Sequence, residues 1–267
     1  MQRETVRLKT MNYSNEKDDT TISEDWYIEA FGPLYPVIYA HRTLEAAAKE
    51  VHFARRCVGL TDADKVLDLC CGTGRHLVAL QDSGATLTGA DYSKDLLRVA
   101  KKQLHGRTRL VRTDMRELPF TTAFDVLFNF FTSFGYFFEE ADNHKTLGEM
   151  SRVLKTGGRF FMDYLNPQVV EATLVPLSER EAPPYQIREE RWIDHKTRRV
   201  NKQVFIYHEG TCIKKTEESV RLYSLEEMHA NLKTVGFRIQ ACLGDYDGSV
   251  FDPTSPRMIL CGVKGDT

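Results

Sequence analysis

Between Val66 and His76 the chain reads VLDLCCGTGRH, a short apolar run followed by two glycines around Thr73 and then a helical stretch. A strand that ends in a glycine turn and feeds a helix is half of a parallel crossover unit. It commits the chain to an α/β sheet with ligand groups at the strand ends. Gly72 and Gly74 let the backbone turn tightly and approach a ligand closely. Asp68 stands near the strand end, where it can pin the turn or meet a ligand ammonium. The next strand ends on a second acid, Asp91, which can accept from both hydroxyls of a ribose.

The pattern around this unit agrees. The spacing predicts strands over Lys65–Cys70, Thr86–Ala90, Arg109–Arg112, Phe124–Phe128 and Arg159–Tyr164. Helices are expected between them, over Arg75–Gln81, from a Ser93 cap through Lys102, and over Asn143–Leu154 with Gly157-Gly158 just past its end. Ahead of the sheet, Thr21-Ile-Ser-Glu24 reads as a capping box for a short helix carrying Trp26 and Tyr27, and a second helix is expected from about Thr43 to Cys57. After Pro167 the alternation stops. Gln186–Asp194, Arg199–His208 and Cys212–Tyr223 read as polar extended segments of an antiparallel sheet with one side buried. A capping box at Ser224-Leu-Glu-Glu227 then opens a helix that stops at Gly236, and Phe237–Leu243 and Arg257–Val263 are the last strands. The expected fold is therefore a Rossmann-like, seven-stranded, mostly parallel sheet with an N-terminal helical cover and a small antiparallel β insertion. Residues 1–22 are expected to be a disordered tail and 23–264 the domain, with 168–223 forming a lid on the substrate side.

Composition removes several classes. A formal net charge of −2 leaves no basic footprint for nucleic acid or for a membrane surface. The six cysteines contain no C-x-x-C pair, so neither a disulfide framework nor a metal site is expected, and reduced thiols in a cytoplasmic protein fit best. Cys70-Cys71 reads as a pair of small buried hydrophobes. No signal peptide and no transmembrane run is read.

Two more strand ends carry ligand groups. Thr113-Asp114-Met115 sets a carboxylate beside an apolar side chain, which suits an adenine amine and an adenine face. Asn129-Phe-Phe-Thr-Ser-Phe-Gly135 lines the same edge. A nicotinamide-binding fold is the competing reading. Its fingerprint needs glycine or alanine three residues past the second glycine, where this chain has Leu77.

These motifs resemble the class I S-adenosylmethionine-dependent methyltransferases of bacterial small-molecule type. The resemblance runs from Phe31-Gly32, Tyr35 and Tyr39-Ala-His-Arg42 through Asp68 to His76, Gly89 with Asp91 and Ser93, Asp114 with Arg116, and Phe128 to Phe137. It continues in Asp163 with Asn166-Pro167, Arg221 with Tyr223-Ser224, and Gly244-Asp245 with Asp247-Gly248. Strands inserted before the last helix also make the chain similar to amino-sugar and glycine N-methyltransferases. Cys70 departs from the family, which often has glycine there; a small residue is expected to change little.

The resemblance implies a cofactor, S-adenosyl-L-methionine, converted to S-adenosyl-L-homocysteine. It would be held by Tyr39, Arg42, Asp68, Gly72, Gly74, Asp91, Tyr92, Asp114, Met115 and Phe130. Tyr39 and Arg42 would close over its carboxylate, Asp91 would take the ribose, and Asp114 with Met115 the adenine. Phe134, Tyr136, Asn166 and Arg221 are the expected lining of a small-molecule acceptor pocket, although Arg221 also reads as a structural partner of Glu189 or Glu190. A methyl acceptor with a hydroxyl needs a general base, and His41, Tyr136 and Asp163 are the candidates. Transfer to an N or O atom of a small molecule by a monomer or homodimer is the expected function. An RNA or protein methyltransferase and a non-catalytic cofactor-binding protein are the alternatives.

Overall fold

A computed structural model describes residues 21–265. The tail expected over residues 1–22 lies outside that range except for its last two residues, of which Ile22 is buried against Trp26 and Ala30.

The central sheet has seven strands: β1 (Lys65–Leu69), β2 (Thr86–Asp91), β3 (Arg109–Arg112), β4 (Phe124–Asn129), β5 (Leu154–Leu165), β10 (Phe237–Leu243) and β11 (Arg257–Lys264). Their order is β10-β11-β5-β4-β1-β2-β3. β11 runs antiparallel to both its neighbours, and the pairings among β1 to β5 are parallel. The order reverses between β1 and β4, where an open α/β sheet holds its ligand crevice. Across that point Asn129 Nδ2 donates to Leu69 O at 3.2 Å and ties the two strand ends together.

The strand interiors are apolar because helices cover both faces. Val66, Leu67, Val126, Leu127 and Phe128 are fully buried. On one face lies α3 (Leu44–Val58), capped by Thr43 Oγ1, which accepts from Ala46 N at 3.1 Å, and ended by Gly59 in the left-handed region. It presses Val51, Ala54 and Val58 into the core with α4 (Arg75–Leu80) and α5 (Lys94–Gln103). On the other face α6 (Glu140–Val153) and α8 (Leu225–Thr234) pack through Leu147, Met150, Met228 and Leu232. The capping box of α8 is present at both of its hydrogen bonds.

Gly89 sits where close packing leaves no room. A β-carbon there would meet Leu77 Cδ1 at 2.5 Å and Cys71 Sγ at 2.9 Å.

The insert follows α7 (Pro167–Thr173) and is a separate antiparallel sheet of four strands: β6 (Leu177–Ala182), β7 (Tyr185–Asp194), β8 (Arg199–His208) and β9 (Thr211–Arg221). Sequence reasoning finds three of these and misses β6, whose LSEREA alternates in burial but carries little apolar weight. Ile187, Val204 and Ile206 bury one face against Ile38 and Tyr39, at the end of the short cover helix α2 (Tyr35–Ile38). Arg199 stitches the insert to the loop after β4. Its guanidinium donates to the carbonyls of Gly135, Tyr136, Phe137 and Ser219 at 2.8–3.1 Å and to Ser219 Oγ at 2.8 Å.

Two local expectations change. The first cover helix, α1 (Trp26–Ala30), begins at Asp25 with no side-chain cap, so the capping box read at residues 21–24 does not form. Gly157 and Gly158 lie within β5, which starts directly at the end of α6, rather than in a connecting turn.

Candidate active site

The strand ends, the N-terminal cover and the insert enclose a cavity of about 490 Å³. One end is built by the sheet. Cys70, Cys71, Gly72 and Thr73 form its floor, with Asp91, Tyr92, Asp114, Met115 and Phe130 around them. The other end is walled by Trp26, Phe31, Tyr35, Tyr39 and Tyr136, and by Arg191, Asn201, Lys202, Glu218 and Val220 of the insert.

At the first end the glycine turn is held from below. Asp91 accepts from Gly72 N at 2.8 Å and from Ser93 N at 2.7 Å, so the carboxylate expected to meet a ribose also shapes the turn. Gly74 has φ of 78°, and a β-carbon there would lie 3.0 Å from Ala100 Cβ, so only glycine brings α4 this close to α5. Cys70 matters more than its size suggests. Its φ is 62°, in the left-handed region that glycine usually fills, so the turn stores strain of order 1 kcal/mol or more at that residue.

Asp68 is buried beneath the turn, and its Oδ2 has no hydrogen-bond partner. Burial pushes its carboxyl up to about 8. Asp114 is gripped by Arg116, whose Nε and Nη2 reach it at 2.8–3.2 Å, and Arg116 also binds Asp142 at 2.6 Å. That pairing holds the Asp114 carboxylate below its usual range, against the opposing effect of burial.

Three guanidiniums surround the ring of Phe131, with Arg75, Arg42 and Arg257 at 4.4, 5.3 and 5.5 Å from its centroid. Two of them are balanced. Arg75 pairs with buried Glu50 at 2.7 Å, and Arg257 pairs with buried Asp163 at 2.7 Å. Among the described residues Arg42 has no carboxylate within ion-pair distance. It donates to Tyr35 Oη at 2.6 Å and lies over the Tyr39 ring at 4.1 Å. Glu50 also meets His76, whose ring stacks on Phe130 at 3.9 Å; burial pushes that imidazole down to about 4, so it is neutral near pH 7.

The site residues read from the sequence divide sharply. Tyr39, Arg42, Gly72, Asp91, Tyr92, Asp114, Met115, Phe130 and Tyr136 line the cavity, and Asp68 and Gly74 support it from behind. The remaining candidates stand elsewhere. His41 is exposed and outside the lining. Asp163 is fully buried, outside the cavity lining, and committed to Arg257, to Tyr246 Oη at 2.8 Å and to Phe131 N at 3.0 Å, so it positions the loop. Phe134 is core, between Tyr164 and Tyr223. Asn166 caps α7 and donates to Ser255 O at 2.8 Å. Arg221 pairs with Glu140 and Glu227 rather than with Glu189 or Glu190. Sequence reasoning assigns no site role to Arg75, although it stands inside the Val66–His76 motif, and misses Lys202, Glu218 and Arg257, which no local motif marks because they reach the cavity only through tertiary packing.

The donor set suits a ligand with an adenosine part and an amino-acid tail. The unpaired guanidinium of Arg42 matches a carboxylate, the orphan carboxyl of Asp68 matches an ammonium, and Asp91 keeps lone pairs for hydroxyls. Residues 66–158, from β1 through the glycines of β5, match the methyltransferase domain family. The chain carries a methyltransferase domain over those residues.

The methyltransferase is 26% identical over 205 residues to the cypemycin N-terminal methyltransferase of a Streptomyces species, covering 74% of this chain and 82% of that one. It is 33% identical over 162 residues to the demethylmenaquinone methyltransferase of Clavibacter sepedonicus, covering 53% of this chain and 64% of the relative. Its fold is that of an S-adenosylmethionine-dependent methyltransferase from Clostridium acetobutylicum, with a TM-score of 0.74, 20% identity, and coverage of 87% and 96% of the two chains.

Proposed function

We propose that this methyltransferase moves a methyl group to an amine nitrogen of a small-molecule acceptor, by in-line displacement inside the cavity. The observation that supports the choice of nitrogen is that two of the three expected bases stand away from the cavity. A hydroxyl must lose its proton to a positioned base, whereas a neutral amine attacks unaided. Of the candidate bases, His41 lies outside the cavity and Asp163 is consumed by Arg257. Burial raises the Tyr136 phenol well above its ordinary value, which suits a neutral hydrogen-bonding group. The aromatic wall of Trp26, Phe31 and Tyr136, with ring centroids 4.9–5.9 Å apart, offers an apolar surface beside which an amine stays neutral.

S-adenosylmethionine supplies a methyl carbon on a sulfonium that is already a good leaving group. The protein's share is to orient the acceptor and exclude water, which is worth roughly 7–11 kcal/mol in well-aligned systems. Asp91 takes the ribose hydroxyls, Asp114 and Met115 the adenine, Arg42 the carboxylate and Asp68 the ammonium. Residues 168–223 act as the lid, with the polar side chains of β8 and β9 over the acceptor. A net charge of −2 supports a small molecule over RNA. Incubation with labelled S-adenosylmethionine and a panel of primary and secondary amines, alcohols and phenols is expected to give N-methyl products alone. O-methyl products would overturn the choice of nitrogen.

Asp68 provides a pH test. Its carboxyl is neutral below about pH 8 in the ligand-free protein, and an ammonium beside it favours the charged form. Binding therefore releases a proton below that pH. Affinity for S-adenosylhomocysteine should weaken as pH falls from 8 to 6, by up to about tenfold per unit. Calorimetry across that range should show this slope in the wild type and its disappearance in Asp68→Asn. An unchanged slope would remove Asp68 from the ammonium site.

A further inference from the structure

The insert reaches further than the acceptor. Tyr39, the residue on which the Arg42 guanidinium rests, ends α2 with its hydroxyl held by two side chains of the insert. The hydroxyl donates to Glu218 Oε1 and accepts from Lys202 Nζ, and Lys202 Nζ bonds Glu218 Oε2 at 2.9 Å, closing a three-membered ring of contacts. Glu218 lies on β9 and Lys202 on β8, 179 and 163 residues from Tyr39. Both line the cavity. The ring is neutral in sum, and among the described residues it contributes no carboxylate to Arg42 at ion-pair distance.

With no carboxylate at ion-pair distance among the described residues, the half-buried guanidinium of Arg42 is held by ring contacts and one hydrogen bond. Arg42 has three such supports: the face of Tyr39 at 4.1 Å, the ring of Phe131 at 5.3 Å and the hydroxyl of Tyr35 at 2.6 Å. The Tyr35 ring in turn leans on Tyr39, with centroids 4.6 Å apart. Tyr39 is thus common to two of the supports, and its hydroxyl is fixed by Glu218 and Lys202. Remove that anchor and the tyrosine recovers rotamers that do not carry Arg42 over the cavity floor.

We infer that Glu218 and Lys202 are positioning residues for the cofactor's carboxylate, acting through Tyr39 on Arg42, so that docking of the insert completes the cofactor site as well as the acceptor site. This rests on the cofactor roles given above. It predicts that damage to the insert weakens only ligands that carry the amino-acid tail.

Two ligands separate tail from nucleoside. S-adenosylhomocysteine carries the tail, and 5′-methylthioadenosine has the same adenosine and thioether without it. Calorimetric affinities for both are measured on the full chain, on Glu218→Gln, Lys202→Met and Arg42→Gln, and on the double variant Arg42→Gln/Glu218→Gln, with thermal unfolding as a check of folding. The expected result is a loss of at least about tenfold for S-adenosylhomocysteine in each single variant, with methylthioadenosine within twofold of wild type. The double variant should lose no more than Arg42→Gln alone, because both changes act on one contact. Equal losses for both ligands would mean a collapsed cavity, and additive losses would mean that Glu218 acts by another route; either overturns the inference, as does unchanged affinity in Glu218→Gln and Lys202→Met. Failure of the wild type to bind S-adenosylhomocysteine would instead overturn the cofactor roles.

Discussion

Replacing Asp163 by alanine is expected to cost about 3–5 kcal/mol of stability, the range for breaking one side of a buried ion pair. The carboxylate is fully buried and serves three donors at once: Arg257 Nε at 2.7 Å, Tyr246 Oη at 2.8 Å and Phe131 N at 3.0 Å. Alanine leaves a guanidinium without its counterion and two further donors without an acceptor. For a domain of this size the loss corresponds to a fall in Tm of roughly 10 °C. The same substitution releases Phe131 N, at the first of two consecutive residues with φ of 54° and 56°, while the backbone bond from Thr132 N to the carbonyl of residue 163 is kept. Thermal unfolding measures the first effect. A drop of less than about 2 °C would show that the pair contributes little.

Asp91→Ala is expected to reduce affinity for S-adenosylhomocysteine by at least about a hundredfold. Each hydrogen bond to a charged group is worth about 1.5–3 kcal/mol, and in the proposed site this carboxylate accepts from two ribose hydroxyls. The substitution also unfastens the glycine turn, because Gly72 N and Ser93 N lose their acceptor. Asp91→Ala should therefore lower stability too, which sequence reasoning alone does not anticipate. Calorimetry of the folded variant reads the affinity. A loss below tenfold would contradict the ribose role.

Legibility from sequence follows the range of the interaction. The turn from Asp68 to Gly74 is legible because strand, glycines and helix are neighbours in the chain, and β1, β2 and β4 are each placed to within one residue. The motif residues Phe134, Asn166 and Arg221 stand beside the site in sequence yet face the core, a helix cap and a surface ion pair. Proximity along the chain says nothing about which way a side chain points after a strand ends. Arg257, Lys202 and Glu218 carry no motif at all; they reach the cavity because β11 inserts beside β5 and because the insert closes over α2. At Cys70 the residue type was visible and its backbone conformation was not.

Arg199 and Arg257 also set the order in which the enzyme becomes complete as it leaves the ribosome. The loop at residues 131–137 is made early, yet it is shaped by Arg199, which follows Phe137 by 62 residues, and by Arg257, which follows Thr132 by 125. Until the last strand emerges, the nascent chain holds a glycine turn beside an unformed wall. Contacts this distant in sequence close slowly. A chain that ends before Arg257 lacks the side chain that pairs with Asp163 and with Thr132 Oγ1, and so lacks the last fastening of that loop.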